Sequence, residues 1–260
     1  MKNLFDVSGK IAVVTGGSRG IGAMIAAGYV ENGVKTYICS RNIEQAEETA
    51  KILSEKGICI ALQADLATSE GIEKFVAEIS SREEKLDILV NNAGAVWAAP
   101  IDDFPESGWD KVMDINVKSV FFLTQKLLPL LRASTTEGNT DKNLARIINI
   151  ASVDGLSVPR FETYSYSASK AAVIHMTKVL AKRLSRDKIT VNAIAPGAFP
   201  SEMTKVVLQD HKQMMLDQVP LGRIGEAEDM AAAAIYLACP ASSYVTGVTL
   251  TVDGGWATTL

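Results

Sequence analysis

Cysteine and histidine are scarce in this chain, which has three cysteines and two histidines among its 260 residues. Cys39, Cys59 and Cys239 lie in apolar segments, and none of them forms the Cys-x-x-Cys spacing of zinc and redox sites. This pattern indicates buried free thiols, as in proteins of a reducing cytoplasm, rather than disulfides or a metal site. We therefore expect a cytoplasmic protein without a bound metal.

Long apolar runs and clustered positive charge are also missing. No segment reaches the ~18 uncharged apolar residues that a membrane-spanning helix requires, and residues 1–6 lack the apolar core of a secretory signal. The formal net charge is −4 and the pI is about 5.4, whereas a surface that binds nucleic acid needs a concentrated positive field. We expect a soluble protein with neither a membrane nor a nucleic acid as partner.

Short apolar runs rich in β-branched residues alternate along the chain with longer segments of helical apolar spacing. Predicted strands occupy residues 11–15, 35–40, 58–63, 86–91, 146–151, 189–195 and 247–252. Predicted helices occupy residues 21–32, 43–56, 69–82, 109–132, 164–186 and 226–238. Several strands are apolar on both faces, which is typical of a parallel sheet covered by helices on each side. The prediction is an α/β, single-domain Rossmann fold over residues 1–260, with a doubly wound parallel sheet of about seven strands.

Two segments depart from this alternation. Residues 133–143 are polar and are predicted to form an exposed insertion before the fifth strand. Residues 197–225 are long for a connection between a strand and a helix. A long connection beyond the carboxyl end of a strand is a candidate substrate lid.

A glycine-rich turn, Thr-Gly-Gly-Ser-Arg-Gly-Ile-Gly at 15–22, joins the first strand to the first helix. Glycines let the backbone approach a pyrophosphate, and the helix N-terminus offers it unpaired N–H groups. The spacing of Gly16, Gly20 and Gly22 matches neither the common dinucleotide fingerprint nor a Walker A sequence. The alternative is a turn needed only for close packing, but its place in the first strand–helix unit favours dinucleotide binding.

Arg41 follows the second strand, where an acidic residue would bind the ribose 2′-hydroxyl of NAD. A guanidinium there can instead bind the 2′-phosphate of NADP, and Arg19 in the glycine turn can reach the same phosphate. The alternative for each arginine is a solvated surface side chain. Two arginines at these positions favour NADP(H) as the cofactor.

Tyr166 and Lys170 lie four residues apart in a predicted helix, so their side chains share one face. A nearby positive charge favours phenolate and moves the pKa of tyrosine from about 10 towards the value that suits a proton donor. The same spacing occurs by chance in many helices, so the remaining motifs decide its meaning.

Those motifs are Asn-Asn-Ala-Gly at 91–94, Asn116, Ser152 and Pro-Gly at 196–197. Together with the glycine turn and the Tyr166–Lys170 pair, in this order, they resemble the short-chain dehydrogenase/reductase family over nearly the whole chain. Within the family the chain is most similar to NADPH-dependent 3-oxoacyl-(acyl-carrier-protein) reductases, especially the β-ketoacyl reductase type linked to rhamnolipid synthesis. Gluconate 5-dehydrogenases are similar too.

The resemblance implies a role for each motif residue. Ser152 polarises the substrate carbonyl and Tyr166 donates a proton to its oxygen. Lys170 binds the nicotinamide ribose and lowers the pKa of Tyr166, and Asn116 places a water that relays protons to Lys170. The implied cofactor-binding residues are Gly16, Ser18, Arg19, Gly20, Ile21, Gly22, Arg41, Asp65, Leu66, Asn92, Ala93, Gly94, Tyr166, Lys170, Pro196, Gly197, Phe199 and Ser201. The alternatives are that Ser152 caps the turn after its strand and that Asn116 bonds backbone at a helix kink.

The predicted function is NADPH-dependent reduction of a carbonyl to a secondary alcohol, with a 3-oxoacyl thioester as the first candidate substrate. A sugar acid, polyol, steroid or quinone is the close alternative, because substrate choice depends on loops rather than on motifs. A catalytically inactive NADP-binding regulator is an alternative of another class, which the intact proton-donor set disfavours. The resemblance also implies a homo-oligomer, a tetramer or a dimer, and leaves open whether an acyl-carrier protein is a partner.

Overall fold

The structure is a computed structural model that describes residues 3–136, 144–201, 213, 216–257 and 259. Its strands are β1 (Ile11–Thr15), β2 (Lys35–Ser40), β3 (Cys59–Gln63), β4 (Ile88–Asn91), β5 (Ala145–Ile150), β6 (Ile189–Pro196) and β7 (Thr249–Val252). They form one sheet in the order β3-β2-β1-β4-β5-β6-β7, and every pair is parallel. The chain reverses its direction of winding between β1 and β4, so the predicted doubly wound Rossmann fold is confirmed.

Helices cover both faces of the sheet. They are α1 (Gly20–Glu31), α2 (Ile43–Leu53), α3 (Ser69–Arg82), α4 (Glu106–Met113), α5 (Ser119–Thr136), α6 (Tyr164–Leu184) and α7 (Ala227–Ala238). None of the helices in the described part of the chain is long and apolar enough to cross a membrane. The three cysteines are buried and free, as expected.

Alternate residues of the central strands enter separate cores on the two faces. On β1, Val14 packs in a core with Leu237 of α7, whereas Val13 packs on the other face with Phe75 of α3 and Leu127 of α5. Each is almost completely buried, and burying a side chain of this kind stabilises the fold by about 1.5–3 kcal/mol. Packing on both faces therefore fixes the carboxyl ends of the strands, where the loops begin.

The helix predicted over residues 109–132 is interrupted in the structure. After α4 the chain forms one π-helical segment, Asp114–Lys118, before α5 begins. Such segments are frequent at functional sites because they redirect side chains and leave backbone groups out of the regular ladder. Residues 133–136, predicted as part of an exposed insertion, continue α5, and residues 137–143 lie outside the described residues.

Arg146 in β5 is a buried cation far from the carboxyl ends of the strands. It is 2% exposed, and its guanidinium donates to the carbonyls of Cys239 at 3.1 Å and Ser242 at 3.4 Å and to Thr190 Oγ1 at 3.3 Å. Burial lowers its pKa to about 10. Because Cys239 follows α7, the charge complements the negative end of that helix and joins β5 to the last part of the chain.

Candidate active site

A cavity of about 590 Å³ opens along the carboxyl ends of the strands. Residues at or just after the carboxyl ends of β1, β2, β3, β4 and β5 line it, and the end of β6 contributes as well. In a doubly wound sheet this is where the strand order reverses and ligands bind. The apolar lining with a few polar groups is typical of a cofactor and substrate site.

Most of the predicted site residues line this one cavity. They are Gly16, Ser18, Arg19, Gly20, Ile21, Arg41, Asp65, Leu66, Asn92, Ala93, Gly94, Ser152, Tyr166, Lys170, Pro196, Gly197, Phe199 and Ser201. Gly22 and Asn116 are not part of the lining and are buried behind it. The structure thus brings together residues that are up to 185 positions apart, from Gly16 to Ser201.

The glycine turn is closed against the segment that follows β4. Gly16 has a φ of +64°, and a Cβ there would lie 3.0 Å from Ala93 Cα. A Cβ on Gly22 would lie only 2.4 Å from Asn92 Nδ2, which donates to Thr15 O at 2.8 Å. The turn therefore needs glycine for packing, which is the role assigned to it by the alternative interpretation.

The same turn also retains the properties of a phosphate cradle. The cap residue of α1, Arg19, makes no side-chain hydrogen bond to the first turn, and that turn contains no acidic residue. Its N–H groups are therefore not satisfied by a capping side chain, and the cavity lies directly beside them. These donors, together with the two arginines, fit the anionic end of a dinucleotide.

Lys170 is held deep in the wall by the end of β5. The residue is 5% exposed, and its ammonium donates to Ile150 O at 2.7 Å. Nζ lies 5.4 Å from the ring centroid of Tyr166, so the charge faces the ring. Burial lowers the pKa of Lys170 to about 8, and the carboxylate of Asp154 acts in the opposite direction.

Burial is the largest influence on the pKa of Tyr166. Burial raises it to about 12, the bond with Ser152 lowers it, and the charge of Asp154 raises it. The ammonium of Lys170 is bonded to Ile150 O and faces the ring of Tyr166. The expected lowering of the Tyr166 pKa by Lys170 stays a prediction.

Ser152 has the capping role that the sequence left as one of two alternatives. Its Oγ accepts from Asp154 N at 3.1 Å and so caps the short 3-10 helix Val153–Gly155. The Ser152 hydroxyl also lies close enough to that of Tyr166 to lower the pKa of the tyrosine, and the residue is 8% exposed in the cavity wall. The capping bond fixes the position of the serine hydroxyl in the cavity wall, and its role in polarising a substrate carbonyl stays a prediction.

Asn116 is 1% exposed and lies in the π-helical segment. Its Oδ1 accepts from Ala95 N at 2.8 Å, and its Nδ2 donates to Ala95 O at 3.0 Å and Ser169 Oγ at 2.9 Å. The side chain thus bonds backbone, as the alternative interpretation expected. Its role in placing a water that relays protons stays a prediction.

Sequence reasoning missed several lining residues. Asp154 is a partly buried carboxyl whose pKa is raised by burial and lowered by Lys170, with burial dominant. Its position two residues after Ser152, in a loop at the end of a strand, was an available signal. Others come from loops and from α4, where the motifs give no information. They are Lys111, Val158, Arg160, Phe161, Gln218 and Trp256.

Comparison with known proteins identifies relatives over the whole chain. A family described as enoyl-(acyl carrier protein) reductase matches residues 16–257. The rhamnolipids biosynthesis 3-oxoacyl-[acyl-carrier-protein] reductase of Pseudomonas aeruginosa is 46% identical over 98% of this chain and 99% of its own length. The 2-dehydro-3-deoxy-D-gluconate 5-dehydrogenase of Dickeya dadantii is 39% identical over 98% of both chains.

Solved structures agree with these relatives. The RhlG/NADP active-site complex of Pseudomonas aeruginosa has a TM-score of 0.94 and 46% identity, covering 99% of this chain and 100% of its own. A gluconate 5-dehydrogenase of Burkholderia cenocepacia in complex with NADP and tartrate has a TM-score of 0.90 and 32% identity, covering 99% of each chain. The resemblance drawn from the motifs is thereby confirmed, and the chain belongs to the short-chain dehydrogenase/reductase family of oxidoreductases.

Proposed function

We propose that this chain is an NADPH-dependent reductase that converts a 3-oxoacyl thioester to the 3-hydroxy product. The observation that carries the proposal is the single cavity in which Ser152, Tyr166 and Lys170 lie beside the glycine turn and Arg41. NADPH, when bound, supplies the hydride to the carbonyl carbon. Ser152 holds the carbonyl oxygen, Tyr166 gives that oxygen its proton, and Lys170 binds the adjoining ribose hydroxyls.

The preference for NADPH rests on charge at the adenosine end. Arg19 and Arg41 both line the cavity, and Gln63 Nε2 donates to Arg41 O at 3.1 Å, which fixes the backbone of that loop. A guanidinium pairs well with a phosphate and gains little from a ribose hydroxyl. NADP complexes among the structural relatives support the same cofactor.

The preference for an acyl substrate rests on the mouth of the cavity. Val158 is 95% exposed and Phe161 is 46% exposed, and both line the cavity. Large apolar side chains left in water at a cavity mouth favour an apolar ligand that covers them. The reductase from Pseudomonas aeruginosa, by its name, acts on 3-oxoacyl substrates, which agrees with this interpretation.

A sugar acid is the second candidate. Two cations, Lys111 and Arg160, line the cavity as well, and a carboxylate would bind them favourably. The relative from Dickeya dadantii is a dehydrogenase of 2-dehydro-3-deoxy-D-gluconate by its name. This candidate shares the cofactor and the proton donor with the first.

The decisive experiment is an NADPH-oxidation screen of the purified protein against acetoacetyl thioesters, 5-ketogluconate, a ketosteroid and a quinone. We expect the highest kcat/KM with the acetoacetyl thioester. A higher kcat/KM with 5-ketogluconate would transfer the proposal to the second candidate. Binding of NADPH without turnover of any carbonyl would indicate the inactive regulator instead.

We also propose three broader properties of the chain. Residues 197–225 act as a lid in the single domain 1–260, since Gly197, Phe199 and Gln218 line the cavity from both ends of this segment. Residues 202–212 and 214–215 of the lid lie outside the described residues.

The protein forms a homo-oligomer, a dimer or tetramer, because Phe121 on α5 and Val179 on α6 are 38% and 55% exposed. It works in the cytoplasm, where buried free thiols stay reduced.

A further inference from the structure

The cavity lining has the opposite sign of charge to the chain as a whole. Among the described lining residues, five side chains are cationic and two are acidic, whereas the chain has a net charge of −4. The cations are Arg19, Arg41, Lys111, Arg160 and Lys170, and the acids are Asp65 and Asp154. A cavity with this balance concentrates anions.

The proposed cofactor and reaction account for three of the five cations. Arg19 and Arg41 are the residues proposed to bind the adenosine phosphate, and Lys170 Nζ lies 5.4 Å from the ring centroid of Tyr166. Lys111 and Arg160 belong to neither group. Lys111 is in α4, and Arg160 is in the loop between β5 and α6.

Neither of these two cations forms a salt bridge with any residue that the structure describes. Lys111 Nζ lies 5.2 Å from the ring centroid of Trp97. The amide oxygen of Gln218, in the orientation that satisfies both groups, lies 2.8 Å from Arg160 Nε, 3.1 Å from Nη1 and 2.8 Å from Nη2, which leaves the other N–H groups of the guanidinium for an anion. These neutral neighbours fix the position of each cation without cancelling its charge.

We propose that Arg160 and Lys111 form a subsite that binds an anionic group of the substrate, a phosphate or a carboxylate, at a distance from the reacting carbonyl. The inference rests on the proposed reductase function. In a thioester of coenzyme A or of an acyl carrier, phosphates of the pantetheine arm supply the anion. In a sugar acid, the carboxylate supplies it. Planar guanidinium groups bind both anions through paired N–H donors.

The test compares charged and neutral substrates that share one reacting group. Acetoacetyl-coenzyme A is compared with the neutral acetoacetyl N-acetylcysteamine thioester, and 5-ketogluconate with a neutral ketohexose, at saturating NADPH. Arg160→Gln should raise KM for the charged member of one pair about five- to tenfold, as expected for a partly solvated charge-assisted bond. KM for the neutral member should be unchanged, and the responding pair identifies the anion.

Three further variants separate the loss of this charge from a general effect of substitution. Arg160→Lys keeps the charge and should recover most of the affinity, whereas Arg186→Gln removes an exposed arginine outside the cavity and should change neither KM. Lys111→Gln should act in the same direction as Arg160→Gln. Equal effects of Arg160→Gln on charged and neutral substrates, or no effect on either charged one, would overturn the subsite.

Binding measurements distinguish failure of the reductase function from failure of the subsite. If no carbonyl is reduced, calorimetry measures coenzyme A and tartrate binding to the enzyme with NADPH bound. Binding of either anion about fivefold weaker in Arg160→Gln than in Arg186→Gln supports the subsite even though the reaction proposal fails. Equal binding in the two variants rejects the subsite.

Discussion

The side chain of Asn116 forms hydrogen bonds with both backbone groups of Ala95, accepting from its N–H at 2.8 Å and donating to its C=O at 3.0 Å. A third bond, from Nδ2 to Ser169 Oγ at 2.9 Å, reaches the helix that carries Tyr166 and Lys170. The π-helical segment thus ties the loop after β4 to α6. This amide, together with the bond from Ala99 N to Glu162 O at 3.3 Å, joins the two walls of the cavity.

Asn116→Ala should therefore destabilise the fold and reduce turnover together. The change removes three hydrogen bonds and leaves buried polar groups unpaired, which we expect to cost about 2–4 kcal/mol of unfolding free energy. Urea unfolding measures this loss, and kcat measures the second effect. Asn32→Ala, which removes one bond to Gly28 O at the end of α1, is the control and should cost much less. A stable but inactive Asn116→Ala would instead favour the water-relay role.

Tyr166→Phe should abolish turnover with little change in NADPH affinity. The variant keeps the ring that faces Lys170 and loses the proton donor, whose contribution is on the order of 10²–10⁴-fold in rate. Stopped-flow NADPH oxidation measures the rate, and fluorescence titration measures the affinity. Tyr164→Phe is the matched control, because Tyr164 is in the same helix and its hydroxyl bonds only Glu162 in the described chain. Substantial turnover by Tyr166→Phe would remove Tyr166 from the proposed role.

The fold could be predicted from the sequence because the apolar runs and turns that indicate it are local features of the chain. In β4, Leu89 and Val90 pack in the cores on opposite faces of the sheet, and only a sheet covered on both faces can bury both of them. The glycine turn was recognisable for a similar reason, since Gly16 has a positive φ that favours glycine.

The π-helical interruption before α5 could not be predicted from the sequence, because one extra residue in a turn barely changes the apolar spacing of a helix. The pKa of Tyr166 was missed for another reason. It depends on burial and on Asp154, both of which arise from tertiary packing that periodicity does not report. Arg160 and Lys111 were missed because their loop and helix carry no family motif, and only the assembled cavity shows that both of them line it.

Lys170→Met should change the pH dependence of stability as well as activity. Burial lowers the pKa of Lys170 from 10.5 to about 8, so between these values the unfolded chain binds more protons than the folded chain. This group therefore makes the unfolding free energy rise with pH from about 8 to 10.5, and its burial cost is fully present below pH 8.

The variant lacks this titration. The unfolding free energy of Lys170→Met minus that of the parent chain should be greatest at pH 7 and should fall between pH 8 and pH 10, because groups common to both chains cancel. Urea unfolding at each pH measures the difference, and NADPH affinity and turnover should both decrease. A difference independent of pH would show that the lysine titrates normally.

Arg41→Ala should weaken NADPH binding much more than NADH binding. Loss of a charge-assisted bond to an exposed phosphate corresponds to roughly tenfold in Kd. Fluorescence titration with both cofactors measures the ratio, and Arg186→Ala serves as the exposed-arginine control. An equal loss for NADH and NADPH would show that Arg41 does not recognise the 2′-phosphate.

The bonds from Arg146 to Cys239 and Ser242 span 93 and 96 residues of the chain. A nascent chain that ends before Cys239 lacks the two carbonyls that accept hydrogen bonds from Arg146. Burying the guanidinium in β5 without these acceptors is costly. We therefore expect synthesis to be nearly complete before the sheet closes. A chain truncated after residue 236 should be cleaved rapidly by protease, and resistance of its first 150 residues would show that they fold ahead of the rest.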